Sequence, residues 1–251
     1  VSPSLTRRQA LRTLALGTGA VAAGALAVPL LTSAAQAYNW TRTMQQGDTG
    51  ADVKELQIRV AGWAAASASH TYVSVDGDFG PGTLAAVKRF QAAYGLSADG
   101  VAGPNTHTKL NALESSDGST LHFNWSEFTS KDGTGFGSGK VGASTVQENV
   151  RRLMYKLEAL RVKIGNAAIT VNSGFRSIAH NAAVGGASNS MHLYGVAADL
   201  DSSVGTLTMY KKAETSGFSG LETHNTDHQH VDSRVEYAYG SQSWWWQDGT
   251  L

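Results

Sequence analysis

The sequence predicts an α+β fold in two parts: a small three-helix N-terminal domain, then an α+β domain with a largely antiparallel sheet. Three observations carry that reading. An internal repeat of turns feeding helices runs from residue 75 to residue 113. A long amphipathic segment follows at residues 144–165. Beyond it, short strand-like stretches and helical stretches mix without a βαβ rhythm, which disfavours a parallel sheet.

The chain has 251 residues, of which 41% are hydrophobic and 16% charged. That is enough length for two modest domains and too apolar for disorder. Formal net charge is zero, so no electrostatic footprint points to nucleic acid. Cysteine is absent. Disulfides, thiolate nucleophiles and cysteine-ligated zinc are thereby excluded, leaving His, Asp and Glu as the ligands for any metal.

Residues 1–37 read as an export signal. "TRRQALRT" is basic, "LALGTGAVAAGALAVPLL" is apolar and rich in Gly and Ala, and "AQA" offers small residues at a cleavage position. The pair Arg7–Arg8 ahead of a weakly hydrophobic stretch resembles a twin-arginine signal. An uncleaved anchor is the alternative, since the run approaches the ~20 residues that span a bilayer; Pro29 and the AQA site favour removal. Removal takes away Arg7, Arg8 and Arg12 and no acid, so the remaining chain is mildly acidic.

The repeat pairs "VDGDFGPGTLAAVKRFQAAYGL" with "ADGVAGPNTHTKLNAL". Both copies contain Asp-Gly-x-x-Gly-Pro-x-Thr. Gly80–Pro81 and Gly103–Pro104 punctuate the chain, and Thr83 and Thr106 are the expected helix caps. Leu84, Val87, Phe90 and Tyr94 fall on one helical face, as do Val53, Leu56, Val60 and Trp63 upstream. His70 reads as a surface loop residue. On "GDTGADVKELQ" and the two repeat motifs, residues 44–113 resemble the peptidoglycan-binding domain carried by many cell-wall hydrolases. The resemblance implies a tether to wall polymer. "ESSDGS", 114–119, is short and polar and reads as a flexible linker.

In the second part, 120–240, Val146, Val150, Leu153, Leu157 and Leu160 recur at helical steps. Ser144 with Gln147 suggests a capping box, and Gly165 a helix stop. "AAITVNSGFRS" reads as a strand breaking into a turn, "VGTLTMYKKAETSG" as a helix, and "GFSGLE" and "HVDSRVEYAY" as strands. Residues 241–251 form a tail containing "WWW", which covers a sheet edge or core or else offers a sugar-stacking platform.

The chemistry concentrates in two stretches. "NSMHLYGVAADLDS" holds His192 and places Asp199 inside an apolar strand. A buried ionised carboxylate is costly unless it is paired or binds a metal. "THNTDHQHVDSR" adds His224, Asp227, His228, His230 and Asp232. Two imidazoles and one carboxylate make a normal ligand set for a catalytic zinc ion, with manganese, iron or cobalt chemically admissible.

On "SMHLYGVAAD", "SGFRS", "HNAAVGGASNS" and "HVDSR", the region from about Leu121 to Tyr239 resembles the zinc D-alanyl-D-alanine carboxypeptidase family, which includes vancomycin-resistance D,D-peptidases. The resemblance implies one zinc ion held by His192, Asp199 and His230. It implies Asp227 as general base and Arg176 as the arginine of the "SGFRS" loop. In an unbroken strand Asp227 and His230 would face opposite sides, so Asp227 requires a bend before His230; Glu222 is the runner-up base. His228 is expected near the metal as a hydrogen-bond donor, and Arg176 and Ser190 as substrate-binding groups. Asp232 either supports a ligand or pairs with Arg234; His180 and His224 read as loop residues. The implied activity is hydrolysis of peptidoglycan stem peptides outside the cytoplasm, by a monomer with no stable membrane insertion after signal cleavage. Terminal D-alanine removal is the leading reading; endopeptidase action, or a non-catalytic wall-binding role, are the alternatives.

Overall fold

The computed structural model describes residues 38–222, 227–240 and 242–244. The expected signal 1–37, His224, Trp245, Trp246 and most of the tail lie outside the described residues. Among the described residues no helix is long and apolar enough to cross a membrane.

Three helices build the N-terminal part, as the repeat predicts: α1 (Ala51–Val60, continued by a 3-10 turn at Ala61–Trp63), α2 (Pro81–Ala93) and α3 (Pro104–Asn111). Val53, Leu56, Val60, Trp63, Val87 and Phe90 are buried together, with Leu84 and Tyr94 packed at the margin. Pro81 and Pro104 open their helices where a missing N–H costs nothing. The expected threonine caps do not form, because Gly80 and Gly103 hold the capping positions. Thr83 and Thr106 serve a different purpose. The buried Gln57 amide donates to Asp76, to Asp78 O and to Thr83 Oγ1, and its Oε1 accepts from Gly77 N. Gln91 repeats each bond on Asp99, Val101 O, Thr106 Oγ1 and Gly100 N. Each helix thus reads the Asp-Gly loop that follows it through one glutamine. His70 lies between α1 and α2 and stacks on Trp244, ring centroids 5.3 Å apart.

Residues 114–119, polar enough to suggest flexibility, form a closed turn. Glu114 bridges Thr120, Ser115 N donates to Ser119 O, and Ser119 and Thr120 are buried. The turn feeds α4 (Trp125–Phe128) and then α5 (Ala143–Lys163). α5 starts from Gly142 without a side-chain cap, so the Ser144–Gln147 box does not form; Ser144 already lies inside the first turn. It ends at Ile164–Gly165 as expected.

Helix α5 belongs to two cores. Val146, Val150, Leu153, Leu157 and Leu160 pack under the sheet with Met209, Leu200 and Val231. Tyr155 and Ala159 join the N-terminal core, with Val162 at its edge. Arg151 grips Glu55 with two bonds of 2.9 Å, and Glu55 also holds Arg59 at 2.6 Å.

The sheet is antiparallel, in the order β1 (Thr170–Ser173), β2 (Ala197–Asp201), β4 (Gln229–Asp232), β3 (Gly220–Leu221). Helix α6 (Ile178–Ala183) carries His180, which is therefore helical and not a loop residue. Helix α7 (Thr206–Ala213) covers the core. The strand expected through Tyr239 stops at Asp232. There the Asp232 carboxylate accepts from Arg234 N, and Val235 N donates to Ser219 Oγ, turning the chain into a 3-10 turn at Arg234–Glu236.

Gln91→Leu should destabilise the chain by about 1–3 kcal/mol, because it leaves Gly100 N and the Asp99 carboxylate without their buried partner. Chemical denaturation of the purified variant measures it.

Candidate metal centre

Period-two alternation along β2 and β4 sorts the site from the core. Ala198, Leu200 and Val231 point into the apolar core, so Asp199, His230 and Asp232 occupy the opposite face. Asp199 and His230 are direct cross-strand partners, and Ser173 of β1 pairs with Asp199 on its other side. One row across three strands therefore carries hydroxyl, carboxylate and imidazole. His192 arrives from a 3-10 turn, Met191–Tyr194, that closes on Gly195 at φ 74°. A side chain at Gly195 would meet Val146 at 2.9 Å, so glycine lets this turn seat against α5.

Three acceptor atoms converge. His192 Nε2 lies 3.2 Å from Asp199 Oδ1 and 3.3 Å from His230 Nδ1, and His230 Nδ1 is 2.9 Å from Asp199 Oδ1. The outer nitrogens fix the inner ones. His192 Nδ1 sits 2.6 Å from Gly174 O, which can only accept, so it carries the proton and Nε2 presents a lone pair. His230 Nε2 faces Asp232 at 3.2 Å, which orients Nδ1 the same way. Asp232 is fully buried and further held by Arg234 at 2.5 Å, so it contacts both His230 and Arg234.

The electrostatics ask for a cation at this point. Burial opposes charge on Asp199, yet the adjacent imidazoles of His192 and His230 hold its carboxyl well below the usual range. Burial pulls His192 down. His230 is also penalised by burial, but Asp199 and Asp232 outweigh that and push it up to about 9. A proton on His230 Nδ1 relieves the crowd of lone pairs; a divalent cation among the three atoms relieves it more fully. His192, Asp199 and His230 offer one ligand atom each, all within 4.8 Å of one another, so the residues fit a metal.

Around them lies a cavity of about 330 Å³ lined by Arg176, Ser190, Glu222 and His228 together with the three candidate ligands. Arg176 donates from Nη2 to Asp199 Oδ2 at 2.5 Å and from Nε to Ser173 Oγ at 2.8 Å. His228 Nε2 stands 3.7 Å from Asp199 Oδ1, beyond hydrogen-bonding distance. Glu222 is tied to β4 through its backbone, Glu222 N donating to His230 O. Asp227 sits at an exposed bend two residues before β4, so the chain does break ahead of His230. Asp227 is not among the residues lining the cavity, whereas Glu222 is.

Two supporting residues escape a reading of the sequence. The Gly174 carbonyl orients His192 through backbone alone, which no side-chain pattern reveals. Gly220 pairs with Asp232 across β3–β4, and a Cβ there would fall 2.2 Å from the Asp232 carboxylate. A glycine inside a strand, the mark of close approach, is the one available signal.

Both parts of the chain are similar to known proteins. Residues 122–232 match the Peptidase M15 family model, and residues 49–110 match a peptidoglycan binding domain. A zinc D-Ala-D-Ala carboxypeptidase of Streptomyces albus G is 43% identical over 221 residues, covering 82% of this chain and 85% of that protein. A spore cortex-lytic enzyme of Bacillus cereus is 36% identical over 109 residues, 43% of this chain and 36% of that one. The crystal structure of the SleB N-terminal domain shares 39% identity across 28% of this chain and 88% of its own, with a TM-score of 0.24. The chain belongs to the M15 peptidases and carries a peptidoglycan binding domain ahead of its peptidase domain.

Proposed function

We propose that the chain is a zinc peptidase that removes the terminal D-alanine from peptidoglycan stem peptides outside the cytoplasm. The observation that carries this is the convergence of His192, Asp199 and His230 beside Arg176 in one cavity, in a chain closely related to a zinc D-Ala-D-Ala carboxypeptidase. The N-terminal domain holds wall polymer, and residues 1–37 direct export by the twin-arginine route and are then removed. The mature enzyme acts as a monomer.

His192, Asp199 and His230 hold the zinc. When bound, zinc supplies a Lewis acid that polarises the scissile carbonyl and makes water acidic enough to yield hydroxide near neutral pH. Asp227, three positions before the last ligand, accepts a proton from the attacking water and returns it to the leaving amine. Arg176 commits Nε and Nη2 to Ser173 and Asp199, which leaves Nη1 to bind a substrate carboxylate or the developing oxyanion. Ser190 hydrogen-bonds the peptide terminus, and His228 donates to the reacting carbonyl region. Endopeptidase cleavage is the second reading, favoured by a tethering domain suited to polymer.

Mass spectrometry of muropeptides after digestion distinguishes the bonds: loss of one alanyl residue from the stem supports the carboxypeptidase, and opened cross-links support the endopeptidase. Chelation should abolish either product and added zinc restore it; digestion that persists in chelator refutes the zinc reading. Asp227→Asn should lower kcat by about 10²–10⁴-fold with zinc still bound, and Glu222→Gln should cost far less. The reverse pattern in steady-state kinetics transfers the base role to Glu222. Asp232→Asn should weaken zinc binding roughly 10–100-fold, because His230 loses its orienting carboxylate; competition against a chromophoric chelator reads this out.

A further inference from the structure

Among the described residues most arginines are matched with acids. Arg59 and Arg151 hold Glu55, Lys156 holds Glu236, Arg176 holds Asp199 and Arg234 holds Asp232. One cleft gathers several cations. A cleft of about 530 Å³ opens between the 3-10 turn and α2 of the N-terminal domain and α5 and α7 of the peptidase domain. Arg89, Lys163, Lys211 and Lys212 all line it, with Trp63 and several alanines. Among the described residues lining the cleft there is no carboxylate. Glu214, at the end of the helix that bears Lys211, interacts electrostatically with Lys211 but does not line the cleft.

The cations are held by neutral acceptors. Arg89 Nη1 donates to Trp63 O at 3.2 Å and to Ala64 O at 2.8 Å, which fixes the guanidinium at the wall. Lys163 Nζ donates to Gly62 O at 2.8 Å and Thr215 O at 2.6 Å, and lies 5.2 Å from the Trp63 ring. Burial, then repulsion from Arg89 and Lys212, brings the Lys163 amine down to about 7. Lys211 and Lys212 stand exposed at the rim. Like charges gathered in a half-buried cleft repel one another and raise the local concentration of anions.

We propose that this cleft is a binding site for a doubly charged, phosphate-type anion. One carboxylate would neutralise a single cation and leave the others in mutual repulsion. A phosphate group brings up to two charges and three acceptor oxygens, which suits lysine point charges spread around a rim. The volume exceeds the roughly 330 Å³ of the metal-site cavity and leaves room for the polyol or sugar bearing the phosphate, against the alanine-lined wall. The cleft lies apart from the metal centre, sharing no lining residue with that cavity.

Isothermal titration of the full zinc-loaded chain with inorganic phosphate, a short glycerol-phosphate polymer and acetate tests the site. Phosphate should bind, with affinity falling as salt rises. K211Q/K212Q should bind about tenfold more weakly while retaining wild-type peptidase activity. Binding of phosphate, with or without the polymer, supports the site. Binding of the polymer alone, whose linkages are singly charged phosphodiesters, absence of phosphate binding, undiminished binding in K211Q/K212Q, or acetate binding as tightly as phosphate would overturn the proposal.

Discussion

A carboxylate oxygen and two imidazole nitrogens are forced to within 3.3 Å of one another. Such a cluster is unstable without a positive charge at its centre, and the surrounding structure is arranged to keep it together. The Gly174 carbonyl and the buried Asp232 hold the two rings from outside, and Arg176 holds the second oxygen of Asp199. The sheet sets the cluster's register. Because side chains alternate along a strand, a slip of one residue between β2 and β4 would send Leu200 outward and Asp199 into the apolar core. The same pairing therefore defines the hydrophobic interior and the polar centre, and neither can drift without losing the other.

Helix α5 does for the whole chain what the β2–β4 register does for the site. Its apolar face toward the sheet completes the peptidase core, and Tyr155 and Ala159 on another face complete the N-terminal core. Between them runs a charged network. Arg59 is almost wholly buried, paired with Glu55 and Glu114, and flanked by the rings of Tyr38, Trp40 and Tyr155 at 5.5–5.6 Å. Breaking a buried pair is strongly destabilising because the remaining charge has no solvent to turn to. That network also explains why residues 114–119 are ordered: Glu114 is one of its members, so the connection cannot swing free.

Much of this was legible in the residues themselves. The helices of the first domain follow from their apolar spacing, and the candidate metal-holding trio is flagged by a carboxylate placed inside "VAADL" near an His-x-His. Each of those signals is local. The parts that escaped are contacts between distant segments. Gln57 and Gln91 look like ordinary surface-helix residues until the following loop folds back onto them. Thr83 and Thr106 look like caps until that glutamine claims them. The orienting carbonyl of Gly174 has no side chain to read, and the basic cleft draws its residues from four separate stretches of chain. The acid beside the metal is the sharpest case. Spacing against the family pattern selects Asp227, whereas packing brings Glu222 to the cavity wall, and these are different kinds of information.

The sharing of α5 between two cores has a mechanical outcome. A module hung on a slack tether sweeps a sphere whose radius grows with the tether's length, and its catalytic end meets any bond within reach. Here both domains pack against one helix, so side-chain packing, and not the length of a tether, sets the span between them.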